Sequence, residues 1–282
     1  MSQHTEIRSA NTSPTKGVEV GGTRFAYREF GPNTGVPVIF LHHFTAVIDD
    51  WDPRVIDGIA SERRVITFDN RGVGGTKGRT PTTVSAMADD AIAVIDALGL
   101  EQVDLMGFSL GGFIAQAIVT KRPALVRRLI LAGTGPAGGD GVGKFSRRLL
   151  CDMAHGLLTH SDPKPYLFFT RTANGKAAAT AYMGRLAERS QDRVNPTSPR
   201  GVAAQLLAIH RWGAQAPMDL DAIDHPVLVA NGEDDRMLPT RASFDLAHRL
   251  PNASLRIYPD SGHGGVFQWH EKFVPQALEF LG

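Results

Sequence analysis

Apolar residues along this chain come in short runs separated by polar, glycine-rich breaks, and the spacing of those runs sets the predicted architecture. Residues 18–20, a Gly21-Gly22 turn and residues 23–29 read as a β-hairpin. Beyond it, runs at 38–41, 64–68, 102–106, 128–132, 226–230 and 253–258 have strand length, and several are apolar throughout, as strands covered on both faces are. Between them, residues 84–98 and 241–250 have the pattern of crossover helices. Strands alternating with helices at the spacing of βαβ units predict an α/β fold, with a mostly parallel eight-stranded sheet flanked by helices.

From residue 136 to 216 the alternation stops, and three or four helical stretches follow one another. One starts with Ser198 as N-cap and Pro199 in the first turn, where a missing N–H costs nothing. This stretch is predicted to be a helical cap inserted into a core made of residues 17–135 and 217–282. Residues 1–16 are predicted to be a disordered tail.

Composition narrows the function classes. A chain of 282 residues with 42% hydrophobic content suffices for one large domain plus an insertion. Its 30 Lys and Arg nearly balance 29 Asp and Glu, for a formal net charge of +1, so there is no overall preference for a polyanion and nucleic acid is not an expected partner. The charge is uneven, however: residues 144–211 hold 11 basic against 4 acidic residues. Solvated helix faces account for such an excess, and steering of an anionic substrate is the sharper alternative. No apolar run approaches the roughly 20 residues that span a bilayer. The start of the chain lacks an apolar signal-peptide core, and the single Cys151 permits no intramolecular disulfide. A soluble, cytoplasmic protein without membrane contact is expected.

The most informative segment is Met106-Gly107-Phe108-Ser109-Leu110-Gly111-Gly112. It joins the predicted strand at 102–106 to an apolar helical run at 113–119, so Ser109 falls at a strand-to-helix turn. A serine held in a strained backbone there crowds the residues two positions either side, so Gly107 and Gly111 must lack side chains, and Gly112 lets the helix sit close to the strand. Ser109 is the candidate nucleophile. A serine hydroxyl is a poor nucleophile at neutral pH; it needs an imidazole to take its proton and a carboxylate to orient that imidazole. Asn231-Gly232-Glu233-Asp234-Asp235-Arg236-Met237-Leu238-Pro239 follows the strand at 226–230, and Pro259-Asp260-Ser261-Gly262-His263-Gly264-Gly265 follows the strand at 253–258. Both lie at carboxyl ends of parallel strands, where open α/β sheets build their sites. The residues alone leave Glu233, Asp234 and Asp235 open as the acid. His263 competes with nine other histidines, His270 being the nearest.

These motifs, with Leu41-His42-His43-Phe44, resemble the α/β-hydrolase superfamily, serine-nucleophile branch, over nearly all of residues 18–282. The resemblance implies the α/β-hydrolase fold and a triad in the order serine, acid, histidine. The family acid lies three residues after the loop glycine and four before a proline, which implies Asp235, with Asp234 as fallback; His263 takes the family's Gly-His-Gly position. It also implies oxyanion donors at the backbone N–H groups of Leu110 and Phe44. The family commonly has His-Gly where this chain has His42-His43. Phe68-Asp69-Asn70-Arg71-Gly72-Val73-Gly74 matches a family turn that packs beneath the oxyanion loop, so its expected role is structural.

Dehalogenases and epoxide hydrolases of this fold carry an aspartate at the elbow, and the serine separates the chain from them. Within the serine branch it looks closest to esterases, lactonases and cofactor-free haloperoxidase-like perhydrolases. A carboxylic ester or lactone hydrolase working through an acyl-enzyme is expected. Perhydrolysis or C–C bond hydrolysis by the same triad is the alternative, and a hydrolase-fold receptor with negligible turnover is the alternative of another class. His43, Phe108, Phe169, Trp212, Met237 and Leu238 are candidates to line an apolar pocket for a small-molecule substrate, together with Tyr166, Phe168, Tyr182 and Met183. No cofactor is expected, because the G-x-G-x-x-G spacing and a Walker lysine are both missing. The His42-His43 pair has no Cys or carboxylate at ligand spacing, so no metal is expected either.

Overall fold

The computed structural model describes residues 9–143 and 162–282. Strands β1 (Lys16–Val20) and β2 (Thr23–Phe30) pair antiparallel across the Gly21-Gly22 turn. Both glycines have positive φ, 53° and 78°, as a type I′ hairpin turn demands of its two central residues. The remaining strands are β3 (Val38–Leu41), β4 (Val65–Phe68), β5 (Val103–Phe108), β6 (Val126–Ala132), β7 (Val227–Gly232) and β8 (Ala253–Tyr258). They form one eight-stranded sheet in the order β1-β2-β4-β3-β5-β6-β7-β8, antiparallel through β2 and β4 and parallel from there on. Every residue of β3, β4, β5 and β7 is buried, which explains why these runs are mostly apolar without alternation, and the one charge among them, Asp104, is paired with Arg63 and Arg127. Strand β5 continues two residues past the predicted end at 106, because Gly107 and Phe108 keep parallel register with Leu131 and Ala132 of β6.

Helices α1 (Pro53–Ala60), α2 (Val84–Ala97), α3 (Leu110–Lys121), α4 (Lys164–Phe168), α5 (Ala173–Ala187), α6 (Pro199–Ala214), α7 (Arg241–Arg249), α8 (Gly265–Gln268) and α9 (His270–Leu281) surround the sheet. Successive strand residues point to opposite faces, so the core divides in two. Ile39, Leu105 and Leu129 join the cluster that takes in α2, α3, α6 and α7. Phe40, Met106 and Ile130 join the cluster under α1, α4, α5, α8 and α9.

Within the stretch expected to be a cap, α4, α5 and α6 are described, and Ser198 accepts the Gly201 amide at 3.2 Å as the N-cap of α6. Cys151, Lys144, Arg147 and Arg148 lie outside the described residues. The basic excess of this stretch has a structural use, because the loop between β3 and α1 carries Asp49, Asp50 and Asp52. Arg185 meets Asp52 at 2.6 Å, Lys164 meets Asp50 at 2.9 Å, and Arg189 meets Asp49 at 3.5 Å. Arg28, itself 1% exposed, holds the same Asp49 at 2.6 Å. The Asp49 and Asp52 carboxylates are shut off from water, so removing a partner of either would strand a buried charge, at a cost of about 3–5 kcal/mol.

The expectation of a disordered tail fails for residues 9–16. The Ala10 amide donates to Asp57 Oδ1 at 2.6 Å, and Arg189 donates to the carbonyls of Ala10 and Ser13, both at 2.9 Å. A polar segment reads as unstructured when its partners are far away in sequence. Here most partners stand more than 40 residues downstream.

Candidate active site

Four loops at the carboxyl ends of β3, β5, β7 and β8 bring Phe44, Ser109, Asp235 and His263 to one edge of the sheet, as parallel topology requires. Ser109 lies between β5 and α3 with φ 56° and ψ −116°, a region sparsely populated by residues with side chains. Its backbone is held on three sides: its amide donates to the Ala132 carbonyl, and its carbonyl accepts from Thr134 Oγ1 and the Gly112 amide, all at 2.9 Å. The glycines are needed for space. A Cβ at Gly111 would stand 1.9 Å from the Leu41 carbonyl oxygen, and one at Gly107 would stand 2.4 Å from that of Gly111.

Burial sets Asp235 apart from the two carboxylates before it. Glu233 and Asp234 are exposed, whereas the Asp235 side chain is fully covered. Its Oδ1 accepts the Met237 and Leu238 amides at 2.8 and 3.0 Å, and its Oδ2 lies 2.7 Å from His263 Nδ1. A carboxylate engaged in this way can only accept, so the ring proton is assigned to Nδ1. The His263 Nε2 lone pair is left free. That atom is buried and has no hydrogen-bond partner among the described residues, so Ser109 Oγ is not bonded to it in this arrangement. Such bonds commonly tighten only when substrate fills the site. His270 stands apart, with its Nδ1 on the Phe267 carbonyl at 3.0 Å.

Neither the Phe44 nor the Leu110 amide has an acceptor among the described residues, and Leu110 opens α3, where the helix dipole favours negative charge. The segment around Phe44 is braced from below. Asp69, in the turn after β4, accepts the Ile48 amide at 2.8 Å and the Gly75 amide at 2.7 Å. Burial pushes its carboxyl up to about 7. His42 and His43 are both desolvated, which holds their imidazoles down to about 4 and about 3, so both are neutral at physiological pH. His43 Nδ1 donates to the Phe44 carbonyl at 2.8 Å. For Asp50, burial alone would raise the carboxyl, but Lys164 beside it keeps it below the ordinary range.

Rings close over the imidazole of His263. Phe108 and Phe168 have their centroids 4.9 and 5.5 Å from it, and His43 packs on the same two rings at 5.4 and 5.1 Å. Trp51 and Phe267 complete this cluster against Phe108. Of the pocket candidates, His43, Phe108 and Phe168 therefore meet at the site. Phe169 packs on Tyr182 instead, and Trp212 stacks on Phe113 at 5.4 Å with its indole N–H on the Gly135 carbonyl. Met237 and Leu238 contribute through backbone amides to Asp235. Phe267 and Trp51 carried no local signal in the sequence, since nothing near them is motif-like. A cleft of about 460 Å³, lined by Thr170, Arg171, Thr172, Asp234, Asp235 and Arg236, opens beside the acid loop but is not lined by Ser109 or His263.

The model of the alpha/beta hydrolase fold matches residues 36–268, which takes in all four loops. The chain belongs to this family. An alpha/beta hydrolase fold protein from Chitinophaga pinensis has a similar structure, with a TM-score of 0.91 and 38% identity over 97% of this chain and 99% of that one. A Caulobacter sp. (strain K31) protein named as a candidate carbamate hydrolase, RutD, is 32% identical over 238 residues, 82% of this chain and 85% of its own. The 2-hydroxymuconate semialdehyde hydrolase of Pseudomonas putida is 32% identical over 228 residues, 78% of this chain and 77% of its own. Membership and these relatives make the chain a hydrolase-family enzyme. Among the described residues no helix is long and apolar enough to cross a membrane.

Proposed function

We propose that the protein is a serine hydrolase of a small carboxylic ester or lactone, with Ser109, His263 and Asp235 as its catalytic triad. The observation that supports this most is the Asp235–His263 contact of 2.7 Å, in which the carboxylate is fully engaged and the opposite imidazole nitrogen is left free. Ser109 Oγ attacks the carbonyl carbon while its proton passes to His263 Nε2. The resulting imidazolium is stabilised by Asp235. Negative charge on the carbonyl oxygen is met by the N–H groups of Phe44 and Leu110. Collapse expels the alcohol, which takes the proton from His263 and leaves an acyl-Ser109. Water then enters, gives a proton to His263 and adds to the acyl carbon; Ser109 leaves with that proton restored.

The helices between β6 and β7 act as a cap in this reading, since Phe168 at the end of α4 supplies one wall of the ring cluster. The rings suit an apolar acyl or aryl group. Lys164 is already matched by Asp50 and Asp162, both at 2.9 Å, which argues against its use on an anionic substrate. The test is steady-state hydrolysis of p-nitrophenyl esters of increasing acyl length with Ser109→Ala as blank. Multiple turnovers that vanish in the blank are expected. Turnover surviving in the blank would refute the nucleophile, and release of at most one product per chain would favour a receptor.

A further inference from the structure

Thr45, the residue after the proposed oxyanion donor Phe44, has φ 66°. A β-branched residue in the left-handed region is a genuine outlier, and such strain persists only where the surroundings hold it. The Ala46 amide donates to the His43 carbonyl at 3.1 Å, so residues 43–46 form a β-turn with Thr45 at its third position. A positive φ there is the mark of a type II turn, which normally places glycine at that position.

The hold comes from residues 152 and 160 positions further along the chain. The Thr45 amide donates to Gln205 Oε1 at 2.8 Å, and Thr197 Oγ1 donates to the Thr45 carbonyl at 2.7 Å. Both partners belong to the stretch between β6 and β7: Gln205 lies in α6, and Thr197 precedes its N-cap. The central peptide of the turn is also pinned at its carbonyl by His43 Nδ1. Gln205 is fully buried, and its Nε2 has no partner among the described residues. A half-satisfied amide is a poor choice for packing alone, and the side chain's polar contact is with Thr45.

We propose that Gln205 and Thr197 are positioning residues that clamp Thr45 in its strained turn, so that seating α6 sets the aim of the Phe44 N–H. The inference rests on the serine hydrolase reading, in which that N–H binds the oxyanion. It makes the cap part of the catalytic apparatus rather than only a wall of the pocket. Without the clamp Thr45 relaxes towards negative φ, the Phe44–Thr45 peptide rotates, and the donor one residue away loses its aim. A misplacement of about 1 Å can cost about 100-fold in rate.

Gln205→Leu and Thr197→Val remove the two contacts with little change of volume. The expected result is a fall of about 10- to 100-fold in kcat at nearly constant KM. Thr197→Ser, which keeps the hydroxyl, recovers most of the loss. Thr45→Gly placed in the Gln205→Leu background recovers part of it, because glycine adopts positive φ without strain. Unchanged kcat in both single variants, or no recovery from glycine, would overturn the clamp. Hydrogen exchange of the segment 43–48, read by mass spectrometry, is independent of turnover: protection is expected in the parent protein and its loss in Gln205→Leu. Equal protection in both would overturn the clamp even if the ester assay found no Ser109-dependent activity, a result that by itself would count only against the hydrolase reading.

Discussion

Replacing Asp235 by Asn separates the chemistry of the site from its architecture. The Asp235 carboxylate does two jobs with two oxygens: Oδ1 caps the Met237 and Leu238 amides at 2.8 and 3.0 Å, and Oδ2 faces His263 Nδ1 at 2.7 Å. An asparagine can keep Oδ1 on the two amides, which leaves its NH₂ facing Nδ1. Two donors cannot face each other at that distance, so His263 must shift its ring proton to Nε2. The atom that should take the Ser109 proton then already holds one. A wrong tautomer of this kind costs about 10⁴-fold in kcat, equivalent to about 5 kcal/mol of transition-state stabilisation. The amide caps survive, so stability should change by only about 1 kcal/mol. The assay is kcat on the best p-nitrophenyl ester with Tm measured alongside, and Asp234→Asn as control, since Asp234 is exposed and its amide, not its side chain, holds the Ser261 carbonyl at 2.9 Å. An Asp235→Asn variant within tenfold of the parent, or a larger loss in Asp234→Asn, would refute this role for the carboxylate.

Three further outcomes follow from the geometry. Ser109→Gly should abolish turnover and raise stability by about 1 kcal/mol, because glycine relieves the strain at φ 56° while giving back some chain entropy; a lower Tm would show that the elbow is not strained. Gly111→Ala places a methyl 1.9 Å from the Leu41 carbonyl oxygen and should destabilise by about 3 kcal/mol, with activity falling too; a Tm equal to the parent's would contradict the steric account. His43 is neutral in the folded protein down to about pH 3 but takes a proton near pH 6.5 when unfolded. Its contribution is therefore intact above pH 6.5 and is lost as pH falls towards 3. Chemical denaturation should show the parent losing about 2 kcal/mol more than His43→Phe between pH 8 and pH 5, and parallel pH profiles would rule this out.

Much of this protein was legible in one dimension because its information is local. The βαβ alternation, the hairpin at Gly21-Gly22 and the Ser198 cap of α6 depend on neighbours within a few residues, and each appears where the pattern placed it. The elbow was readable for the same reason, since the glycines around Ser109 answer to clashes within one turn of chain. The choice among Glu233, Asp234 and Asp235 was not local. It needed the family pattern at first, and in the fold burial and the approach of a histidine 28 residues on set Asp235 apart from the other two.

The remaining features were decided by tertiary structure alone. No periodicity says that Arg185 and Lys164 dock on Asp52 and Asp50, that residues 9–16 lie against Arg189, or that Phe267 and Trp51 enclose Phe108. Charges and rings of this kind look like solvated helix faces until a partner far away in sequence removes the water. Thr45 is the sharpest case, because nothing in the chain forbids an ordinary conformation there. Only the meeting of its peptide groups with Gln205 and Thr197 holds it at positive φ. Short-range sterics and hydrophobic period sufficed to place the strands, the loops at their carboxyl ends and the elbow, whereas the order of the strands in the sheet came from the fold. Long-range contacts decided how the segment between β6 and β7, the Asp235 loop and the segment around Phe44 are set against one another, because their energy comes from desolvation and hydrogen bonding that exist only once distant segments have met.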